Sequence, residues 1–567
     1  MENKEAPSDK GMAWWVGALL AFSLVAAACA GTEDTTTTAG ETTTTAAETT
    51  TTAEPSSDFE GMVLAAESCG YGGKISSIAA VDEFTVVFDL CSPDPAFLAK
   101  AAFVVFGIQP SEHLEATGGA PLRNPIGTGP YELDKWVLGD SVVYERNDDY
   151  YGRKAPHSIA VLRWGAKRLL ELQSGNVDGI TVSNTGDYEV IRDDPNIELI
   201  GKPEPNVLYV AMTNTFAPFD IPDVRKAIAI GIDRQRIVDT FYPLGSEVAS
   251  HFTPCSVQNG CEGDSWYDYD PAAAEQLLAA AGFPDGFSTR IFYRDIFRRY
   301  LPDPRAVAVD LAAQLKENLN IDAEVVVMES GAFIEESTAG NLDGIYLFGW
   351  TGAYPHITNF LDLRFRAINP QFGVQDPSYT EPLLAASNSA DSAAAAPLYA
   401  AANNALKEFV PMVPIVHSTT AFAYGANVDG AYAPPWGQVL FNFMDNGEDT
   451  FVFMQGDEPK SLYCADETDV ESLRACAQVI EGLYSYSATG EVQPQLAEVC
   501  SADESLTTWT CTLRSGVLFH DGSAFDANDV VASWAAGIDA ADPLHTGNIG
   551  AWEYYSRLWD GLMNADA

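Results

Sequence analysis

Cysteine is the residue type in this sequence whose spacing says most about chemistry. Nine are present. Cys29 directly follows Ala26-Ala27-Ala28, at the end of the uncharged apolar run MAWWVGALLAFSLVAAA (residues 12–28). A thiol placed after small residues behind a signal-like core is what lipoprotein processing requires, so Cys29 is the candidate lipidation site and new N-terminus. An uncleaved N-terminal anchor is the alternative, and both readings export the rest of the chain. The other eight cysteines fall into local pairs: Cys69/Cys91, Cys255/Cys261, Cys464/Cys476 and Cys500/Cys511. An even count of neighbouring cysteines in an exported chain reads as disulfides, here paired by proximity alone.

Catalytic patterns are absent. No GxSxG elbow occurs, and Gly73-Lys74 is followed by Ile75 where a phosphate-binding loop needs Ser or Thr. The seven histidines are scattered, and neither CxxC nor HExxH spacing is found, so no metal site is expected. Charge narrows the field further. Eighty Asp and Glu against 31 Lys and Arg give a net charge of −49, which repels nucleic acid and anionic lipid headgroups. A membrane would be reached through a lipid anchor only.

These residues need elements to position them. The tract TTTTAGETTTTAAETTTTA (35–53) has nothing to bury and reads as a tether. Beyond it, Ile75 and Ile78 precede a turn at Asp82-Glu83, and Phe84, Val86, Phe88 and Leu90 then alternate with polar neighbours as in a half-buried strand. Residues 168–173 look helical and stop at Gly175, ahead of a short strand at 177–180. Val224, Ile228, Ile232 and Ile237 keep helical spacing. Asp270-Pro271 opens another helix that Gly282 closes, and Asp526 caps one carrying Val530, Val531 and Trp534. Trp509, Cys511 and Leu513 alternate after a turn at 503–505, which sets Cys500 nearly opposite Cys511. Strands and helices alternate throughout, so the class is α/β.

Several stretches together resemble the extracytoplasmic solute-binding proteins of ABC importers, family 5, the peptide/nickel group. They are NPIGTGPYELDKWVLGDSVVYERNDDYYG (124–152), RLLELQSGNVDGI (168–180), Asn214 with PFD (218–220), DVRKAIAIGIDRQRIV (223–238), YDPAAAEQLLAAAGFPDGF (269–287) and LFGWTGAYPHITNFL (347–361). The stretches at 458–498 and 511–534 resemble the start of a mature family member, yet stand near the end of this chain. Rotated as 449–567 followed by 58–443, the pieces give about one complete copy, which reads as a circular permutation. A tandem pair that lost parts of both copies is the rival.

The resemblance implies a two-lobed, type II periplasmic-binding fold with a side domain. Its parts would be a signal peptide (1–28), tether (29–57), side domain (58–124 and 491–567), first lobe (125–218 and 436–490) and second lobe (219–435). It implies no enzyme and no cofactor. The expected role is capture of a peptide-like or other small oligomeric solute, which a membrane permease with its ATPase then imports. A secreted hydrolase or a sensing receptor on the same scaffold are the alternatives. Cleft residues carried over by position are Trp350, Thr351, Ala353, Tyr354 and His356 on one wall, Gly482, Leu483 and Tyr484 on the other, and Asn214. Peptide-binding relatives have Asp where this chain has Ala353, so recognition of a free α-amino group is expected to be impaired.

Overall fold

A computed structural model describes residues 59–182, 186–389, 391–548 and 550–565. The apolar leader, Cys29 and the Thr-rich tract lie outside the described residues. Three large sheets, with a small two-stranded one of Tyr484–Tyr486 and Val492–Pro494, organise the described residues. One has seven strands in the order Tyr131–Val137, Ser141–Arg146, Ile159–Trp164, Thr450–Gln455, Gly179–Val182, Thr419–Gly425 and Ile197–Pro203. A second has six, in the order Glu247–Val248, Met412–His417, Asn206–Met212, Ile345–Thr351, Ser288–Arg294 and Asp322–Met328. The third has five: Val63–Ala65, Ile75–Asp82, Thr85–Leu90, Thr508–Leu513 and Ala497–Ala502.

Local sequence explains these choices. Thr85–Leu90 buries every second residue, Val86, Phe88 and Leu90, because only one face of the five-stranded sheet meets a core. Asn206–Met212 is buried at all seven positions and reads NVLYVAM without alternation, as a strand covered on both faces must. Asp270 accepts from the Ala273 N–H ahead of Pro271, and Gly282 follows the helix with φ of 103°. Asp526 closes a full capping box with Asp529.

The periodicity over 224–237 spans two helices, not one. Pro222–Gly231 ends at extended Ile232, and Asp233 then caps Arg234–Phe241 by accepting from the Arg236 N–H. The apolar spacing continues across the break because both helices face the same core, which holds Val224, Ile228, Ile232 and Ile237.

The four cysteine pairs expected from proximity are all bonded. Cys69–Cys91 ties the short turn Cys69–Tyr71 to the end of the strand Thr85–Leu90. Cys255–Cys261 closes a small loop in the segment after Glu247–Val248. Cys464–Cys476 fastens the turn Cys464–Asp466 to the last residue of the helix Val470–Cys476, and both cysteines are buried. Cys500–Cys511 joins partners directly opposite on adjacent strands.

The late segment is integral to the body. Thr450–Gln455 lies at the centre of the seven-stranded sheet, parallel to Ile159–Trp164 and Gly179–Val182, and Thr508–Leu513 pairs with Thr85–Leu90. Among the described residues no helix is long and apolar enough to cross a membrane.

Candidate functional site

The chain passes between the seven- and six-stranded sheets twice, and the two passages are bonded to each other. Ile197–Pro203 leads through Glu204 and Pro205 into Asn206–Met212, and Met412–His417 leads through Ser418 into Thr419–Gly425. The Glu204 N–H donates to the Ser418 carbonyl at 3.3 Å, and the Ser418 N–H donates to Asn206 Oδ1 at 3.0 Å. A pair of short extended connections is where two lobes can swing, since few torsions must change.

A cavity of about 220 Å³ opens beside this hinge. Thr181, Lys202, Phe422 and Arg474 line it from the seven-stranded side, and Phe297 and Arg299 from the other. Its size lies below the roughly 300–1,000 Å³ typical of drug-sized ligands, so it suits a small solute. Glu204 is the electrostatic centre. Its Oε1 accepts from Lys202 Nζ at 3.1 Å, from Arg299 Nη1 at 3.1 Å and from Thr420 Oγ1 at 2.7 Å. Burial alone would raise its pKa, but Lys202 and Arg299 overcome that and hold the carboxyl down at about 2. Arg474 lies deeper, at 3% exposure, with Nη1 donating to Gln455 Oε1 at 2.8 Å, and burial lowers its pKa to about 10.

A cavity at a two-strand hinge, lined by charged and apolar side chains from both sides of it, is the geometry of a protein that closes over a ligand. Comparison with known proteins decides the kind. The family described as bacterial extracellular solute-binding proteins, family 5, middle region, matches residues 36–370 and 491–549. The chain belongs to that family. It is a family of binding proteins, not of enzymes. A dipeptide-binding protein of Pseudomonas aeruginosa is 28% identical over 390 residues, covering 66% of this chain and 72% of that protein. The heme-binding protein A of Haemophilus influenzae is 25% identical over 379 residues, covering 65% and 69%. Among solved structures, HbpA2 from Haemophilus parasuis superposes with a TM-score of 0.62 at 26% identity, over 66% of this chain and 76% of that one.

None of the cleft residues expected from the family-5 resemblance lines this cavity: Ala353, Tyr354, Leu483 and Tyr484 meet in one packed seam, and Trp350 packs on the core of the six-stranded sheet. Trp350 stands near the end of the strand Ile345–Thr351, and its ring lies 4.7 Å from the Arg364 guanidinium and 5.7 Å from that of Arg557. Thr351 is exposed. Ala353 packs on the core that holds Tyr354, Leu483 and Tyr484, whose exposures are 9%, 1% and 6%. Lys100 Nζ sits 5.4 Å over the Tyr354 ring, and the Tyr484 hydroxyl oxygen accepts from the Cys500 N–H at 2.9 Å. Gly482 follows Glu481, a buried carboxylate satisfied by Thr128, Tyr150 and Gln495 at 2.8, 2.7 and 2.6 Å. This wall is therefore fixed by internal bonds.

Two expected residues lie apart from the seam. His356 Nδ1 shares a hydrogen bond with Thr358 Oγ1 at 2.8 Å, and the residue lines a separate cavity of about 260 Å³ with Pro95 and Tyr399. Burial pushes its pKa down to about 4, so the ring is neutral at pH 7. Asn214 is committed to a loop: its amide accepts from the Val374 N–H and donates to the Val374 carbonyl, both at 2.7 Å. The only cluster of metal-type donors among the described residues is His251 with Cys255 and Cys261, whose sulfurs are joined in a disulfide.

Lys202, Glu204, Arg299 and Arg474 escape a reading of the sequence. In a chain with 111 charged side chains, most such residues are surface groups. One signal is available: Arg474 is the lone charged residue in the run LRACAQVI (473–480).

Proposed function

We propose that this protein is the extracytoplasmic binding subunit of an ABC importer, capturing a small peptide-like or related solute between its two lobes. The observation that carries the reading is the partly open, charged cavity beside the paired connections at Glu204 and Ser418, lined by side chains from both sides of the hinge. A solute touching both walls favours the closed form, because only that form offers both sets of contacts. The permease and ATPase then read closure. The names of the two relatives, one dipeptide-binding and one heme-binding, support a broad solute field. Adding mixed di- and tripeptides to purified protein should raise its melting temperature and allow one unchanged solute per chain to be recovered. Recovery of cleaved products would support a hydrolase instead.

The same reading has the protein outside the cytoplasm, tethered through lipid on Cys29. A Cys29→Ala chain should move from the membrane to the soluble fraction; persistence in the membrane would favour an uncleaved anchor.

We further propose that the chain is a circular permutant built as one body, with side domain 58–124 and 491–567; the crossings at Glu204 and Ser418 move the lobe edges from the expected 218 and 435, so that the first lobe runs over 125–204 and 418–490 and the second over 205–417. The support is that Thr450–Gln455 fills the centre of a sheet whose other strands come from 131–203 and 419–425. A tight turn joins that strand to residue 445: the Gly447 N–H donates to Asp445 Oδ1, and Asn446 Nδ2 donates to the Thr450 carbonyl. Permutation needs the ancestral ends to lie close, as a turn this short requires.

A further inference from the structure

The hinge cavity carries a positive charge that no ion pair among the described residues answers. Its wall holds three cations, Lys202, Arg299 and Arg474, and two carboxylates, Glu204 and Glu471. Glu204 is occupied by Lys202, Arg299 and Thr420. Among the described residues the Arg474 guanidinium has only the neutral Gln455 oxygen at hydrogen-bond distance, with the Phe422 and Phe453 rings 5.7 Å away. Its Nε–H is buried without a partner, and among the described residues no carboxylate lies within 4.0 Å of it. Glu471, one turn earlier on the same helix, acts on Arg474 from beyond ion-pair distance, and its side chain borders Gly456 together with Arg168.

A guanidinium taken out of water without a counter-ion is costly, and the cost is relieved when an anion enters. The protein as a whole carries a net charge of −49, so a cationic cavity stands against its overall field and selects what is held there. The planar fork of Arg matches a carboxylate. On the opposite wall the cavity presents Phe297, which is 62% exposed, beside Pro243 and Pro302. For an ammonium group the cavity offers less: Glu204 is already held by two cations, and Glu471 lies in the field of Arg168 and Arg474.

We infer that Arg474 anchors a carboxylate of the solute in the hinge cavity, and that the preferred solute is a small acid with an apolar part and no need of a free amine. This rests on the solute-binding reading above and names the chemistry of that same site.

The test is calorimetric titration of the full chain with N-acetyl-alanyl-leucine and with its C-terminal amide, alongside unblocked alanyl-leucine. Gluconate against glucose provides the matching pair for a sugar acid. Wild type should bind one of the acids roughly tenfold or more tighter than its neutral counterpart, the difference a charge-assisted pair supplies. If the peptide acid is preferred, acetylating its amine should change affinity by less than about threefold. Arg474→Gln should remove the preference for the acid, and Arg474→Lys should keep part of it. The melting curve of each variant shows that it is folded.

Equal binding of acid and neutral forms, or a preference that survives Arg474→Gln, overturns the proposal. A wild type that binds none of the acids yet carries a neutral or cationic co-purified solute overturns the anchor and leaves the solute-binding role standing. A wild type that binds and carries nothing ends both.

Discussion

Glu204 and Asp362 are two buried carboxylates that the fold treats in opposite ways. Glu204, at the hinge, is 4% exposed and accepts from two cations and a hydroxyl, so its pKa falls to about 2. Asp362, in the segment after Tyr354, is 9% exposed, and among the described residues nothing donates a hydrogen bond to either of its oxygens. Burial dominates there: Arg366 approaches one oxygen at 3.6 Å without offsetting it, and the pKa rises to about 7. Asp94 adds to the rise, while Lys74 and Lys100 oppose it. The same chemical group is thus a permanent charge at the hinge and a titrating one behind the seam. What separates them is the number of donors that reach them, since both are nearly dry.

The largest effect expected is from removing residues 448–567. That deletion takes the central strand of the seven-stranded sheet, Arg474 and two strands of the five-stranded sheet. The remainder should show no cooperative thermal transition. A sharp transition in the truncated chain would mean that the late segment is an independent fragment, and that hinge and seam do not belong to one body.

Glu204→Gln comes next. It leaves Lys202 and Arg299 without their counter-charge, and breaking a buried pair from one side costs about 3–5 kcal/mol. Arg299 is 38% exposed and can turn to water, so the lower end is expected, read as a shift in urea midpoint. No shift would mean that the hinge cluster contributes nothing net.

The two carboxylates should also give stability slopes of opposite sign. Glu204 has a folded pKa below its ordinary value of 4.5, so its contribution is full above that value and is lost as pH falls toward about 2. Asp362 has a folded pKa above its ordinary 3.8, so the folded state holds a proton that the unfolded state has released. Stability therefore falls as pH rises from about 4 to about 7, by at most roughly 1.4 kcal/mol per unit. Asp362→Asn should flatten that slope and raise the melting temperature at pH 8. An unchanged slope would show that Asp362 is better solvated than its surroundings imply.

The smallest effect is expected at Tyr354→Phe. The hydroxyl reaches only Thr358 Oγ1, at 3.4 Å, while the ring stays in the seam. A change under about 1 kcal/mol is expected in urea titration. A larger loss would give the hydroxyl a role in closure.

Fold class and most elements were legible in the sequence because they rest on short-range rules. The alternation in Thr85–Leu90, the Asp-Pro opening at 270–271 and the capping box at 526–529 each read directly. So did the disulfides, because partners such as Cys69 with Cys91 and Cys464 with Cys476 are near neighbours in the chain. The break at Ile232–Asp233 did not, because apolar spacing reports which face is buried and not whether the backbone is continuous. Resemblance led to Tyr354, Leu483 and Tyr484, which share one packed core, and to Trp350, which packs on another, and none of the four lines the cavity. It passed over Lys202, Glu204, Arg299 and Arg474, which converge from segments up to 272 positions apart, so no local pattern could join them. Only long-range pairing makes them a cluster.

Native mass spectrometry of the exported, oxidised protein is the most direct test of its role as a solute-binding protein. That role predicts a compact charge-state envelope carrying one small-molecule adduct per chain, lost on mild activation and fragmenting to an intact solute. A compact envelope with no adduct, unchanged after incubation with peptides and small acids, would contradict it.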